Sequence, residues 1–383
     1  MKVVAILFAV VCGFVTADFA RGQTWTLTGA GTNEWRGIAS SADGTKLAAV
    51  ADVGGIYLST NLGAAWVTSS APVEAWSSIA SSADGTRLIA AANGPVYIST
   101  NSGGTWKSTG TSEDLGFLVA SSEDASKLMA VPGSPSINIS TNFGASWFTA
   151  TNIAFADLWS GVTCSADGTK MAAVVSEDDA PVWVSTNSGL KWYPAASIIG
   201  QPGAGIACAA DGSKLMVVTA RFFYVSTNWG ATWGYTNSTA PNIPEDGPMA
   251  CSANGSKLIA CGLNNFDTST NSGVSWMANN VPSAQQTYFA CSADGNELLA
   301  ALNNYGIWIL QTPPSPQLNA SLSNGSLNLS WIVPSTNMVL EESPDLINWT
   351  LLTNAPSLND ANLQEQLAIS ATNSSGFFRL ISQ

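Results

Sequence analysis

The chain has 383 residues, with 13 Lys and Arg against 26 Asp and Glu, no histidine, and a formal net charge of −13. Charged residues make up only 10% and hydrophobic ones 46%, too apolar a balance for a disordered chain. The missing histidine excludes a Ser-His-Asp triad, a Cys-His pair, His-ligated zinc or haem and an imidazole pH switch, and so few arginines in so acidic a chain exclude a phosphate-tracking nucleic-acid binder.

The chain begins MKVVAILFAVVCGFVTADFARGQ. Lys2, the apolar run Val3 to Val15 and the small-residue site Val15-Thr16-Ala17 predict a secretory leader over 1–17, cut after Ala17. Cleavage after Ala20 fits less well, because Asp18 would fall three residues before the cut. The bulky Val10 and Val11 disfavour a lipoprotein site at Cys12. No later apolar run reaches the roughly 18 residues needed to span a bilayer. The expected product is secreted or held at the cell surface, a monomer without membrane insertion.

From 18 to 311 the dominant signal is repetition. STNLGAAW begins at Ser59 and recurs as STNSGGTW at Ser99, STNFGASW at Ser140, STNSGLKW at Ser185, STNWGATW at Ser226 and STNSGVSW at Ser269. A second motif, SADG, stands at Ser41, Ser82, Ser165 and Ser292, with variants SEDA at Ser122, AADG at Ala209 and SANG at Ser252. The two alternate with short apolar runs between them, such as KLAAVAD and GGIYLST, which read as strands joined by hairpins. Four strands in roughly 40–45 residues is the size of a propeller blade. Gly22-Gln23-Thr24-Trp25 matches the tail of the missing seventh STNxGxxW motif. Trp25 to Thr28 should therefore supply the outer strand of a last blade whose other strands come from Thr287 to Leu310. That closure gives an all-β, seven-bladed propeller and removes an exposed sheet edge.

The residue types of STNxGxxW each have a fold-holding job. The Asn carbonyl can accept N–H bonds across the turn, the Gly permits a left-handed residue, and the Trp covers the hairpin. The pairs Asn61 and Trp66, Asn101 and Trp106, Asn142 and Trp147, Asn187 and Trp192, Asn228 and Trp233, and Asn271 and Trp276 are expected to be structural. Cys164, Cys208, Cys251 and Cys291 share one slot before S/A-A-D/N-G, where earlier repeats have Ser40, Ser81 and Ser121. Equivalent positions point the same way, so buried small side chains are expected there, in preference to disulfides or a Cys-only metal site.

Thr312-Pro313-Pro314-Ser315-Pro316 reads as a stiff linker over 312–316. The last segment, 317–383, alternates apolar and polar residues and reads as a small β domain with Trp331, Trp349, Phe377 and Phe378 in its core. Its LSW, LEESPDLINWTLL and FFRL stretches loosely resemble a C-terminal accessory domain of exported bacterial proteins, of fibronectin-like or Ig-like sandwich architecture.

STNxGxxW is the S/T-x-D/N-x-G-x-x-W pattern of the Asp-box, or BNR, repeat. The stretch from Gly22 to Leu310 resembles the Asp-box propellers, which include sialidases, sortilin-type receptors, xyloglucanase-like glycosidases and photosystem II assembly-factor-like propellers. The resemblance implies the fold and leaves the activity open. Sialidase activity is rejected. That family clamps a carboxylate with three arginines, and here only Arg36 and Arg221 lie near the ring, with no Arg-Ile-Pro motif. Xyloglucanase-like enzymes build their cleft from two propellers, and this chain has one.

Topology puts the SADG and STN turns on one face, and the loops between second and third strands, with the blade crossings, on the other. The second face collects Glu34, Asp52, Glu74, Glu113, Asp114, Asp157, Glu177, Asp178, Asp179, Glu245 and Asp246 against Arg36 and Arg221. Trp35, Trp76 and Trp159 share one slot at the start of the first strand, and Trp183 lies beside the 177–179 acids. A candidate binding rim follows: Trp35, Asp52, Trp76, Asp157, Trp159, Asp178, Asp179, Trp183, Glu245 and Asp246. Aromatics beside carboxylates suit sugar rings, a basic protein or a divalent cation. The alternative is that the tryptophans fill space between blades while the acids confer solubility. The favoured reading is a non-catalytic binding or scaffold propeller for an extracellular glycan or protein, with no cofactor. Glycoside hydrolysis by paired rim carboxylates and an assembly-factor role are the alternatives.

Overall fold

The computed structural model describes residues 24–109, 117–131, 136–150, 153, 159–175, 181–195, 203–219, 222–236, 247–261, 266–279, 281–282, 284, 286–311, 319–323, 326–332, 338–345, 347–352, 357–359, 364–370 and 377–382. Among the described residues every regular element is a β-strand. The predicted leader lies outside them. Chain contacts separate Gln23–Thr312 from a second unit that takes in Pro313–Gln383.

The first unit is a seven-bladed β-propeller, each blade a four-stranded antiparallel sheet. Blade 1 comprises Trp35–Ser40, Leu47–Ala51, Ile56–Ser59 and Val67–Thr68, in sequence order from inner to outer strand. Blades 2 to 6 repeat this order, opening with Trp76–Ser81, Leu118–Ser121, Trp159–Cys164, Gly203–Cys208 and Met249–Cys251. Blade 7 takes Thr287–Cys291, Glu297–Leu302 and Gly306–Gln311 from the end of the ring and Thr26–Leu27 from its beginning, with Thr26 opposite Ile309 and Leu27 opposite Trp308. The ring closes as the Gly22–Trp25 match implies. Trp25 anchors the closing strand, packing edge-on against Phe266 and donating from its indole to Asn279 Oδ1 at 2.9 Å.

The core lies between the blades. The second strand of blade 1, LAAVA, is buried along its whole length because both of its faces are covered. Leu47, Ala49 and Ala51 face blade 7 residues Leu299, Ala301 and Ile309, while Ala48 and Val50 face blade 2 residues Ile79 and Leu88. The same arrangement recurs at every junction, giving seven apolar layers. Period-two alternation thus appears in the sequence as a continuous apolar run, the signature of a strand covered on both sides.

The SADG turns tie the ring together at its inner circumference. The N–H of Ala42 donates to the carbonyl of Ala83, Ala83 to Glu123, Glu123 to Ala166, Ala166 to Ala210, Ala210 to Ala253, Ala253 to Ala293 and Ala293 back to Ala42, all at 2.7–2.8 Å. In six of the seven turns the Ser hydroxyl binds the Asp or Asn two residues on, as Ser41 does Asp43 at 2.5 Å, and the AADG turn has Ala209 in that place. The fourth residue has positive φ in all seven turns, and in the SEDA variant Ala125 adopts 55° without being glycine.

The STN turns stand on the same face. In five of the six STN turns the residue before the Gly donates its N–H to the residue that follows the SADG turn of its own blade, as Ser102 does to Thr86 at 2.7 Å. Ser59 Oγ accepts from Gly63 N–H and donates to Asn61 Oδ1, and Asn61 Oδ1 also accepts from Ala65 N–H. The expected acceptor role of the Asn is present, but the left-handed conformation falls on two residues, not one. Leu62 and Gly63 both have positive φ, as do Ser188 and Gly189.

The cations of the SADG face link neighbouring blades. Lys46, Arg87, Lys127, Lys170, Lys214 and Lys257 reach into the next blade and donate to turn backbone carbonyls of Asp84, Asp124, Asp167, Gly212, Asn254 and Gly295, not to turn carboxylates. The seventh position holds Glu297, whose carboxylate lies against Gly44 of blade 1. Burial, with Asp294 nearby, holds the Glu297 carboxyl above its ordinary range.

The second unit has two antiparallel sheets. One orders Asn319–Ser323, Ser326–Ile332, Gln364–Ser370 and Ser357–Asn359, and the other Thr350–Leu351, Met338–Ser343 and Phe377–Ser382. Leu327, Leu329 and Leu367 from the first meet Leu340 and Phe378 from the second. Phe378 is core as expected and Trp349 is half-buried, while the side chains of Trp331 and Phe377 lie outside the described residues.

Three outcomes follow. Gly189 has φ 78°, and a Cβ there would lie 2.6 Å from Ile139 Cγ1, so Gly189→Ala should lower unfolding free energy by about 2–4 kcal/mol in urea titration. Gly31 has the same φ in open space, and Gly31→Ala should lose only about 1–2 kcal/mol. Glu297→Lys should raise the midpoint at neutral pH by completing the belt. The Ser hydroxyls above all hold Asp84 and Asp167 down at about 2. Their stabilisation is present above the ordinary aspartate pKa, so the midpoint should fall as pH drops from about 4 to about 2.

Candidate functional site

The face opposite the SADG turns carries a cavity of about 470 Å³ at the mouth of the central lumen. Its walls come from the starts of first strands (Arg36, Trp76, Ser77, Phe117, Leu118, Trp159, Tyr288) and from the neighbouring Asp52, Ala75 and Asn93. Backbone bonds fix these loops to one another. Asp52 N–H donates to Glu34 O, and Gly54 bridges Glu74.

A bulge shapes the mouth. In blade 1, Trp35 pairs with Ala51 but Gly37 with Val50, leaving Arg36 as the extra residue. Blades 2 and 4 bulge in the same place at Ser77 and Ser160, and there the hydroxyl bonds back to Ala91 O or Val174 O. Bulges re-aim side chains, and in blade 1 the re-aimed side chain is a guanidinium. Gly37 follows it because a Cβ there would meet Val50 Cγ2 at 3.1 Å and Ile79 N at 3.3 Å.

Arg36 Nε and Nη2 both donate to Asp52 Oδ2, at 3.2 and 2.7 Å, and Nη1 donates to Gln286 Oε1 at 2.5 Å. This is the one ion pair among the described residues, about three-quarters withdrawn from solvent on each side. No described residue donates to Asp52 Oδ1, and the guanidinium also bonds the Tyr288 hydroxyl, which leaves it one further N–H. Across the cavity the wall is aromatic. Trp76 and Trp159 show only 1% and 7% of their surface, whereas Phe117 shows 45%.

Of the rim residues expected from the sequence, Asp52, Trp76 and Trp159 come together in this cavity. Trp35 is fully buried between blades 7 and 1, edge-on to Tyr57. Trp183 sits in a third strand, buried with Trp159, Met171 and Trp192 between blades 3 and 4. Trp76 and Trp159, though they line the cavity, are as deeply buried, so for all four indoles the space-filling alternative describes the structure. Burying about 200 Å² of indole contributes on the order of 5 kcal/mol, and the unpaired Trp35 N–H costs about 1–3 kcal/mol, so packing wins. Asp157, Asp178, Asp179, Glu245 and Asp246 lie outside the described residues. Among the described residues no three Cys, Asp or Glu are grouped to hold a metal ion. The sequence reading missed Phe117, Asn93 and Tyr288 as lining. Tyr288 was traceable, since Gln286-Thr287-Tyr288 aligns with Trp35-Arg36-Gly37.

Deeper in the ring, the shared Ser/Cys slot stands two residues before each bonded turn residue. Two of these cysteines make contacts across to the neighbouring blade. Cys251 Sγ donates to Cys208 O at 3.2 Å, and Thr163 Oγ1 to Cys208 Sγ at 3.3 Å. None is in a disulfide. Burial pushes Cys208 up to about 11, and Cys164, Cys251 and Cys291 higher still.

No family model matches the sequence, and no curated protein is similar to it. Solved structures do share the fold. YCF48 bound to D1 peptide superposes with a TM-score of 0.58 at 11% identity, covering 76% of this chain and 96% of that one. YCF48 from Cyanidioschyzon merolae gives 0.57 at 14% identity, with 76% and 98% covered. An ancestral GH74 enzyme gives 0.57 at 14% identity, covering 83% of this chain but only 51% of the enzyme. At such identities the likeness is one of fold.

The thiol chemistry can be checked directly. Thiolate is the reactive form, so the four lumen cysteines should resist iodoacetamide at pH 8 while the denatured chain is fully alkylated. Rapid modification of the native protein at Cys208 would show the lumen thiols to be open and ionisable.

Proposed function

We propose that this protein is an exported Asp-box propeller that binds an extracellular partner, a glycan or a protein, at the mouth of its lumen and does not turn it over. The carrying observation is that the described cavity wall holds a single carboxylate, Asp52, already committed to Arg36. Glycoside hydrolysis needs two carboxyl groups about 5–10 Å apart, one of them with a raised pKa. Glu74, another acid of that face, accepts the Tyr97 hydroxyl at 3.1 Å. The fold neighbours support the reading by contrast: a propeller of this size is seen holding a peptide, whereas the GH74 enzyme is about twice the length that this chain covers. The six STN turns and the predicted leader support the Asp-box assignment and export.

The test is incubation of the purified protein with a polysaccharide panel while reducing ends are followed. No new reducing ends are expected. Turnover abolished by Asp52→Asn or Glu74→Gln would overturn the reading in favour of a hydrolase.

A further inference from the structure

The mouth cavity has two unlike halves, and together they select among partners. This inference rests on the mouth being the binding site. One half presents a net-neutral pair: the one guanidinium N–H of Arg36 left after Asp52, Gln286 and Tyr288 are bonded, beside the acceptor Oδ1 of Asp52. The guanidinium is held in place by both Asp52 and Gln286, so it meets a ligand pre-oriented. The other half is apolar, with Phe117 exposed and Leu118, Trp76 and Trp159 behind it.

We propose that the occupant is an extended loop of a partner protein, which hands the N–H and C=O of one residue to Asp52 and Arg36 and seats that residue's apolar side chain against Phe117. In an extended chain the N–H and C=O of one residue point the same way, as in a hydrogen-bonded antiparallel pair. A donor and an acceptor side by side therefore match one residue's backbone. Net neutrality of the pair disfavours a charged ligand group, which would leave one member of the pair opposed. Sugar stacking is best served by broad indole faces, and both indoles of the lining, Trp76 and Trp159, are turned into the wall, leaving Phe117 and the half-buried Tyr288. Asn93, exposed at the same mouth, adds a carboxamide within the lining for a second backbone contact.

The probes are N-acetyl-L-phenylalanine N-methylamide, its depsipeptide analogue O-acetyl-L-3-phenyllactic acid N-methylamide, in which an ester oxygen replaces the phenylalanine N–H, and methyl β-D-glucopyranoside. Binding to the full chain is followed by saturation-transfer NMR titration. The amide should bind about tenfold more tightly than the depsipeptide, since a hydrogen bond to a charged group is at stake. That ratio should fall to about one in Asp52→Ala. Phe117→Ala, at a half-exposed position outside the buried layers between blades, should weaken both aromatic probes while leaving the fold intact. Equal binding of amide and depsipeptide, or tighter binding of the glucoside, overturns the backbone-reading proposal and leaves the mouth as a ligand site. Binding by none of the three, or binding indifferent to Phe117→Ala, overturns the mouth site as well.

Discussion

Seven turn amides each hand one hydrogen bond to the next blade, and the seventh hands its bond back to the first. That closed circuit is the constraint on which the molecule depends. It can be complete only if all seven blades are present and the last lies beside the first. Each bond is worth about 1 kcal/mol net, which is modest. Its importance is geometric: it fixes how many first strands surround the lumen and brings their opposite ends together at the mouth.

Closure has an entropic cost. Joining Thr26 to Ile309 closes a loop of about 280 residues, on the order of 5 kcal/mol. The seam between blades 7 and 1 buries Trp35, Leu47, Leu299, Ile307 and Ile309, at roughly 1.5–3 kcal/mol each as an upper bound. Burial therefore outweighs the loop term. The same seam departs from the repeat twice. Glu297 replaces the bridging cation on the turn face, and Arg36 replaces the bulged serine on the other. The ring is closed and functionalised at one junction, because Arg36 of blade 1 leans on Gln286, which leads into blade 7.

The blade count was legible because STNxGxxW and SADG are local devices, each needing particular residues at fixed spacing, and because Trp25 completes an incomplete set. The inward burial of Trp35 and Trp183 was harder to read. A tryptophan that starts a strand looks the same in sequence whether its ring faces a groove or a neighbouring blade, and only packing against Tyr57 or Trp192 decides it. Arg36 was noticed as one of few cations but not as a site, since a one-residue bulge leaves no mark in composition.

The most direct test of the closed circuit is native-state amide hydrogen exchange at Ala42, Ala83, Glu123, Ala166, Ala210, Ala253 and Ala293. A covalently open chain held shut by non-covalent contacts around the whole ring should protect all seven to a similar degree, exchanging through one cooperative opening. Ala42 and Ala293 exchanging orders of magnitude faster than the other five would mean that the 7–1 junction stands open, and the account would fail.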